Sequence, residues 1–462
     1  VNTFASAIDN QLTTTENGMK ARKSSASACV DLFYKIGASR GKNIVPSFIA
    51  AQAENQELAL RIALWARDVR GGAGERQIFR DILQHLEYTE HPELCRVIPK
   101  VPELGRWDDL LVFTGKAQEL ADSYILAALA KNNQLCAKWM PRQGPHAERL
   151  RKRIGVSPKQ WRKWLVSLTN VVEQKMCAKQ WSQINFSQVP SLAHARYKQA
   201  FNRNAPQEYQ AYANKLKTGE TKINAAAVYP YDVIKGVQMQ PRYSAAEVSV
   251  LEAQWNALPN YIGNADVLPL VDVSGSMCTP VSGLTVTALD VAVSLGLYCA
   301  DKNSGAFNGC FLTFSESPEL LNLRGSIVQK VQQMVRSNWA MNTNIAKAFR
   351  SILKTAVEGK VAQDQMPKIL LILSDMQFDQ CIQGYSAFEL LEKEYETHGY
   401  EMPKVVFWNL AARDNAPVRF DQQGTALVSG FSPSVLKAIL GGENFTPEGI
   451  MLKAVMQERY SY

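Results

Sequence analysis

A chain of 462 residues, 46% apolar and 20% charged, is long enough for two or three domains with full cores and has the composition of a soluble globular protein. No stretch approaches the roughly 20 uninterrupted apolar residues of a membrane span; the nearest, 286–300, carries Asp290. The net charge of +8 is uneven, because residues 1–262 hold 35 Lys and Arg against 23 Asp and Glu, whereas residues 263–462 hold 16 against 20.

The N-terminal stretch is polar (Asn2, Thr3, Ser6, Asp9, Asn10, Gln11) and lacks the apolar run of a signal peptide. The eight cysteines stand singly, with no C-x-x-C pair to suggest zinc. Together these features predict a cytoplasmic protein with reduced thiols. From Phe4 to about Asn260 the apolar periodicity is mainly helical. Leu58, Leu60, Ile62, Ala63, Leu64 and Trp65 form one apolar helix, which Gly71-Gly72-Ala73-Gly74 breaks. Another begins at Glu75, with Ile78, Phe79, Ile82, Leu83 and Leu86 on its buried stripe. Pro92 opens a short helix that Pro102 ends; Trp107 to Phe113 and Leu120 to Leu129 carry the next two. Short helices joined by tight turns predict an α-helical repeat of HEAT-like pairs. The stretch Ser244–Gly263 reads as a link.

Strand signals are scarce before Val267. After it they alternate with helices: strands at Val267–Val273, Gly309–Phe314, Lys368–Ser374, Lys404–Leu410 and Thr425–Val428, with helices near Thr285–Lys302, Ile327–Val335, from Asn344, Ala387–Glu396 and Pro433–Leu440. Such alternation predicts a doubly wound, mostly parallel sheet with helices on both faces. Pro447–Tyr462 reads as one terminal helix. The expected organisation is therefore an α-helical repeat domain at 1–262, an α/β domain at 263–445 and a C-terminal helix at 446–462.

The first strand of the α/β half runs into Asp272-Val273-Ser274-Gly275-Ser276. This places one carboxylate and two hydroxyls on a loop at the carboxyl end of a strand, where ligands of open α/β sheets bind. Hard oxygen donors in that array suit Mg²⁺ or another divalent cation such as Mn²⁺, which retains some of its waters. Thr343 at a helix start and Asp375 at the end of the Lys368 strand extend the set. An alternative use of Asp272 and Ser274 is to cap the following helix. The five histidines lie away from these loops in sequence and no nucleophile–base pair is visible, so the chain reads as a binding protein rather than an enzyme.

The basic half concentrates its charge. Residues 131–203 hold 15 Lys and Arg against two acidic residues, Glu148 and Glu173. Lys138, Arg142, Arg149, Arg151, Lys152, Arg153, Lys159, Arg162, Lys163, Arg196 and Lys198 are interleaved with Trp139, Trp161, Trp164 and Trp181, with His194 among them. Cations neutralise phosphates and aromatic faces stack unpaired bases, so this segment predicts an RNA contact. The glycine-rich Arg70–Arg76 turn could cradle a phosphate. The sequence favours instead a tight interhelical turn, with Asp68, Arg70, Glu75 and Arg76 pairing between neighbouring repeats and Trp107 as a packing anchor.

Several of these motifs resemble known families. Asp272, Ser274, Ser276, Thr343 and Asp375, in that order, resemble the metal-ion-dependent adhesion site of von Willebrand factor A domains. By that resemblance the serines and Thr343 hold the metal, Asp272 and Asp375 act mostly through its waters, and one position is left for an acidic group of a protein partner. Thr15-Glu16-Asn17-Gly18, Arg67–Arg76 and Pro102–Leu111 resemble the TROVE module of Ro ribonucleoproteins, in which the helical repeats form a ring that holds RNA. Met341–Asn344, Leu373–Asp379, Val406–Leu410 and Val428–Ser432 are still more similar to an uncharacterised family, domain of unknown function 2828. The resemblance implies an RNA-binding ribonucleoprotein, ring or horseshoe in shape, with a metal-dependent partner site. The alternative is a metal-dependent protein-interaction module without RNA.

Overall fold

The computed structural model describes residues 12–15, 18–169, 171–223, 225, 228–234, 237, 243–278, 280, 286–313, 318–337, 344–378, 387–411, 415–440 and 444–462. A small antiparallel hairpin, β1 (Leu12–Thr14) and β2 (Lys20–Arg22), precedes the helices. Then α1 (Ala28–Ile36), α2 (Val45–Glu54), α3 (Gln56–Arg67) and α4 (Gln77–Tyr88) follow, each packed on its neighbours in sequence. The predicted stripe of α4, from Ile78 to Leu86, is buried at every position named above. Helix α5 (Leu94–Leu104) runs past Pro102, where the sequence predicts its end, and encloses Pro99 as well. Burial of Val97, Ile98, Val101 and Leu104 contributes about 6–12 kcal/mol, against about 3 kcal/mol lost at each proline.

A 3-10 segment, Trp107–Val112, leads to α6 (Lys116–Ala130), α7 (Gln134–Trp139), α8 (Pro145–Arg153) and α9 (Pro158–Ser167). Trp107 does act as a packing anchor, stacked on Tyr124 of α6 at 5.4 Å between centroids. Helices α10 (Val172–Cys177), α11 (Ser191–Asn204) and α12 (Pro206–Thr218) build a separate lobe. After α13 (Pro230–Ile234), the stretch that links the two regions carries a further helix, in keeping with the helical periodicity that reaches about Asn260. Ser244 and Glu247 cap α14 (Ala245–Asn256) reciprocally, and its Val250, Leu251 and Trp255 are buried.

The second half is a six-stranded sheet of β3 (Val267–Val271), β4 (Cys310–Thr313), β5 (Leu320–Asn322), β6 (Ile369–Ser374), β7 (Lys404–Asn409) and β8 (Thr425–Ser429). Their order is β5-β4-β3-β6-β7-β8, parallel except for β5. The apolar runs of β3, β6, β7 and β8 are buried almost throughout, as a covered parallel sheet requires. β5 is only three residues long, too short to show a strand period, and two of the three, Leu320 among them, are exposed. Helices α15 (Ala288–Lys302), α16 (Ile327–Arg336), α17 (Ile345–Gly359), α18 (Ala387–Thr397) and α19 (Leu436–Leu440) complete this half. The terminal stretch divides into α20 (Pro447–Val455) and a 3-10 turn, Glu458–Tyr460.

The two halves share one apolar core, which runs from Phe33 and Trp65 to Trp408 and Tyr460. Helix α1 lies on the edge strand β8: the Gly37 N–H donates to Ser429 Oγ at 3.0 Å, and that hydroxyl donates to the Phe33 carbonyl at 3.0 Å. Only glycine fits at 37, since a Cβ there would sit 2.7 Å from the Ser429 carbonyl. Helix α20 packs on β8 and α3, so the chain's last helix bridges both halves.

Candidate functional site

Two loops meet at the carboxyl ends of β3 and β6, adjacent strands at the point where the strand order reverses direction. Asp272 is buried; its Oδ1 accepts from the Ser274 N–H at 2.9 Å and its Oδ2 from Ser374 Oγ at 2.5 Å. The Ser274 and Ser276 hydroxyls are half-buried and 3.0 Å apart. Asp375 is buried as well, and its Oδ1 accepts from the Gln377 N–H at 3.2 Å. Burial pushes the Asp272 carboxyl up to about 6; hydrogen bonds from Ser374 and Ser274 oppose the shift, and the Asp375 charge adds to it. The helix-cap alternative is not what these residues do. Thr287 caps α15, sharing a reciprocal box with Asp290.

The donor types, two hydroxyls 3.0 Å apart and two buried carboxylates at the ends of adjacent strands, are those of a hard divalent cation held partly through water. Thr343, with Met341 and Asn342, lies outside the described residues. No cluster of three His, Cys, Asp or Glu able to hold a metal occurs among the described residues. A hydroxyl-rich site of this kind does not need one.

The glycine-rich turn is structural. The Gly72, Ala73 and Glu75 N–H groups donate to Asp68, Trp65 and Ala66 carbonyls at 2.7–3.2 Å, so they are not available to a phosphate. A Cβ at Gly72 would lie 1.8 Å from the Trp65 carbonyl oxygen, and Gly74 holds φ +73° against the Tyr229 hydroxyl. The ion pairs differ from those the sequence suggests. Asp68 binds Arg459 and the Tyr460 hydroxyl at the far end of the chain, and Glu75 binds Arg40 at 2.8 Å. Neighbouring repeats are tied instead by Asp109, which takes Arg67 and Arg80 at 2.7 Å each. Long-range partners of this kind have no sequence signature.

The basic segment splits into four groups. Lys138, Arg142 and Arg196 line a cleft of about 1040 Å³ between α7, α9 and the lobe. On α8, Arg149 is held by buried Asp122 at 2.8 and 2.9 Å and Arg153 reaches the same carboxylate, while Arg151 and Lys152 pair with Glu148. These four are therefore largely satisfied within the chain. Lys159, Arg162 and Lys163 are exposed on α9. His194 and Lys198 point inward and are buried in the lobe, where they cannot meet an external phosphate. Their place on a contact face is thus corrected: at i and i+4 on α11 they share its inner side, while Arg196 lies on the outer one. Burial also holds the His194 imidazole down to about 4, so it is neutral at pH 7.

Three cleft cations come from elsewhere: Arg76 before α4, Arg106 before the 3-10 segment and Lys175 on α10. Arg106 pairs with Asp108, and against the other five stands one carboxylate among the described lining residues, Glu173. The Arg106 guanidinium lies 3.4 Å from the Trp139 ring centroid. Arg76 and Arg106 are about 60 and 30 residues upstream of Lys138, in motifs that sequence reasoning assigns to interhelical packing; no local signal marks them as lining.

Comparison with known proteins assigns both halves. Residues 15–97 and 131–266 match the family model Domain of unknown function (DUF2828), and residues 266–460 match Domain of unknown function (DUF7788). The chain belongs to the DUF2828 family. The two matches meet at the entrance to β3, where the fold passes from helices to sheet. The chain is also 30% identical over 510 aligned residues to Uncharacterized protein L728 of Acanthamoeba polyphaga mimivirus, covering 96% of this chain and 86% of that protein. Among the described residues, no helix is long and apolar enough to cross a membrane.

Proposed function

We propose that this DUF2828 protein binds RNA in the cleft between α7, α9 and the lobe. One observation carries the reading: of six cationic side chains around a space of about 1040 Å³, Arg106 is spent on Asp108, and the other five face Glu173 as the one carboxylate among the described lining residues. Self-pairing cannot neutralise that excess, and phosphates can. The resemblance of Arg67–Arg76 and Pro102–Leu111 to the TROVE module of Ro ribonucleoproteins supports the same partner. The test is anisotropy titration of a labelled RNA between about 50 and 200 mM salt, with wild type and a Lys138→Gln/Arg142→Gln/Arg196→Gln variant. Wild type binds with a steep salt dependence, and the variant loses roughly 0.7 from the log–log slope for each phosphate contact removed on a single strand. Equal slopes and affinities would sink the proposal.

A second site is proposed on the sheet edge. Two buried carboxylates, Asp272 and Asp375, stand at the same strand ends as the paired Ser274 and Ser276 hydroxyls, and burial, with the Asp375 charge adding to it, raises Asp272, a cost that a divalent cation relieves. With Thr343, as in von Willebrand factor A domains, these residues would hold Mg²⁺ or Mn²⁺ and leave a position for an acidic group of a protein partner. Calorimetric titration with Mg²⁺ or Mn²⁺ checks it: binding that Ser274→Ala/Ser276→Ala abolishes supports the site, and binding unchanged in that variant removes it.

A further inference from the structure

The cations explain attraction for a polyanion, but they leave half of the cleft lining unexplained. Leu135, Val166 and Leu192 are 59, 46 and 43% exposed and all face this space, beside Trp139 and Tyr197. Phosphates have no use for such surface, and water disfavours it. The faces of unpaired bases match it.

The Arg106–Trp139 pair is the ordered part of that surface. Arg106 Nε donates to Asp108 Oδ1 at 2.9 Å and Nη2 to Oδ2 at 2.7 Å, a two-point grip that fixes the guanidinium plane. Arg80 braces the same Asp108 at 3.1 Å. The indole beneath belongs to the last residue of α7, whose N-cap Asn133 accepts from the Cys136 N–H. Lys138 Nζ lies 5.4 Å from the same ring. The stack is therefore rigid before any ligand arrives, and little ordering is needed when one does.

We propose that the cleft takes an unpaired nucleic-acid segment, with one base layered on the Arg106–Trp139 stack and its phosphates met by Arg76, Arg142 and Arg196. This rests on the RNA-binding reading and narrows it to single strands. A duplex hides its base faces, so it would leave both the stack and the aliphatic lining unused. The volume agrees: at about 1040 Å³ the cleft sits at the upper end of small-ligand pockets, room for a short single strand but not for a helix recognised over about 16 base pairs.

The experiment compares three ligands on the full chain: a short oligoadenylate, an abasic oligonucleotide of the same length and backbone, and a blunt duplex. All carry the phosphates, and only the first offers free base faces. Wild type binds the oligoadenylate about 5- to 150-fold more tightly than the abasic strand, the range of one stacked base. Trp139→Leu brings that ratio close to one and leaves the salt slope unchanged, because stacking releases no counterions. Equal wild-type affinities for the oligoadenylate and the abasic strand, or a duplex bound as tightly, overturn the base shelf while the RNA reading stands. The wild-type comparison decides even if the variant does not fold. Binding of none of the three overturns both.

Discussion

The core that joins the helices to the sheet and the core of the lobe are built from different side chains. The first is aliphatic and aromatic along its length, and its buried polar groups are mostly engaged: Trp408 Nε1 donates to the Gly430 carbonyl at 2.7 Å, and Asp109 holds two arginines. The second is small and crowded with polar aromatics, Tyr209, Tyr212 and His194 around Phe186 and Phe201. Within it Ser191 Oγ, His194 Nδ1, Lys198 Nζ, Tyr209 OH, Tyr212 OH and Gln254 Oε1 are buried without a hydrogen-bond partner among the described residues. Each such atom costs about 1–3 kcal/mol. The lobe is thus the weakly held wall of a cleft whose opposite wall belongs to the large core. Loss of local order is expected there first.

The strongest way to break this contrast is Trp408→Ala. It removes a fully buried side chain and leaves the Gly430 carbonyl without its donor, so it costs about 3–5 kcal/mol. Because the core is continuous, chemical denaturation followed by probes in both halves should shift as one transition. Separate transitions would show that the halves fold independently.

Between about pH 6.5 and 4, acid should loosen the lobe most, because protonating Asp272, which burial raises, relieves the sheet half rather than loosening it. The folded His194 is held down to about 4 against about 6.5 when unfolded, so the unfolded state binds the proton more readily. The stability contributed by the neutral ring is present above about pH 6.5 and is lost as pH falls toward 4, by roughly 3 kcal/mol in all. Amide exchange across α11 and α12 should accelerate over that interval while β6 and β7 stay protected. Uniform acceleration contradicts the separation of the two cores.

Tyr212→Phe sharpens the point with a smaller effect of opposite sign. Removing a buried hydroxyl that has no partner among the described residues should leave the lobe unchanged or stabilise it by up to about 1 kcal/mol, read as slower exchange in α12. A clear destabilisation would mean that the hydroxyl is satisfied. The smallest effect is expected of Lys159→Gln/Lys163→Gln on exposed α9: stability within about 0.5 kcal/mol of wild type, and RNA affinity reduced far less than by the cleft variant. An equal reduction would move the RNA site from the cleft to the outer face.

Much of the fold is legible without coordinates. The runs at Val267–Val271, Ile369–Ser374 and Lys404–Asn409 are β-branched and apolar enough to be read as buried parallel strands, and the loop after the first is a donor set on its face. What escapes is what depends on distance in the chain. Arg76 and Arg106 join Lys138 only because the turn after α3 and the 3-10 segment bring their helix starts to one side. His194, Lys198 and Arg196 have the same local composition, and helical phase alone divides them into two buried residues and one at the cleft. The strand β5 escapes for a related reason: three residues carry no period of their own, and only pairing with β4 makes them a strand.

By itself the sequence determined the division into a basic helical half and an acidic α/β half, because periodicity and charge are local properties of a chain. It also determined which oxygens stand at the end of β3, since a strand, a Gly-containing turn and its hydroxyls are consecutive. Only the tertiary structure decided which cations are spent on Asp122, Asp109 and Glu148 and which remain facing the cleft. A salt bridge or a stack is a matter of a few ångströms between residues far apart in sequence, and the packing of buried side chains sets those distances.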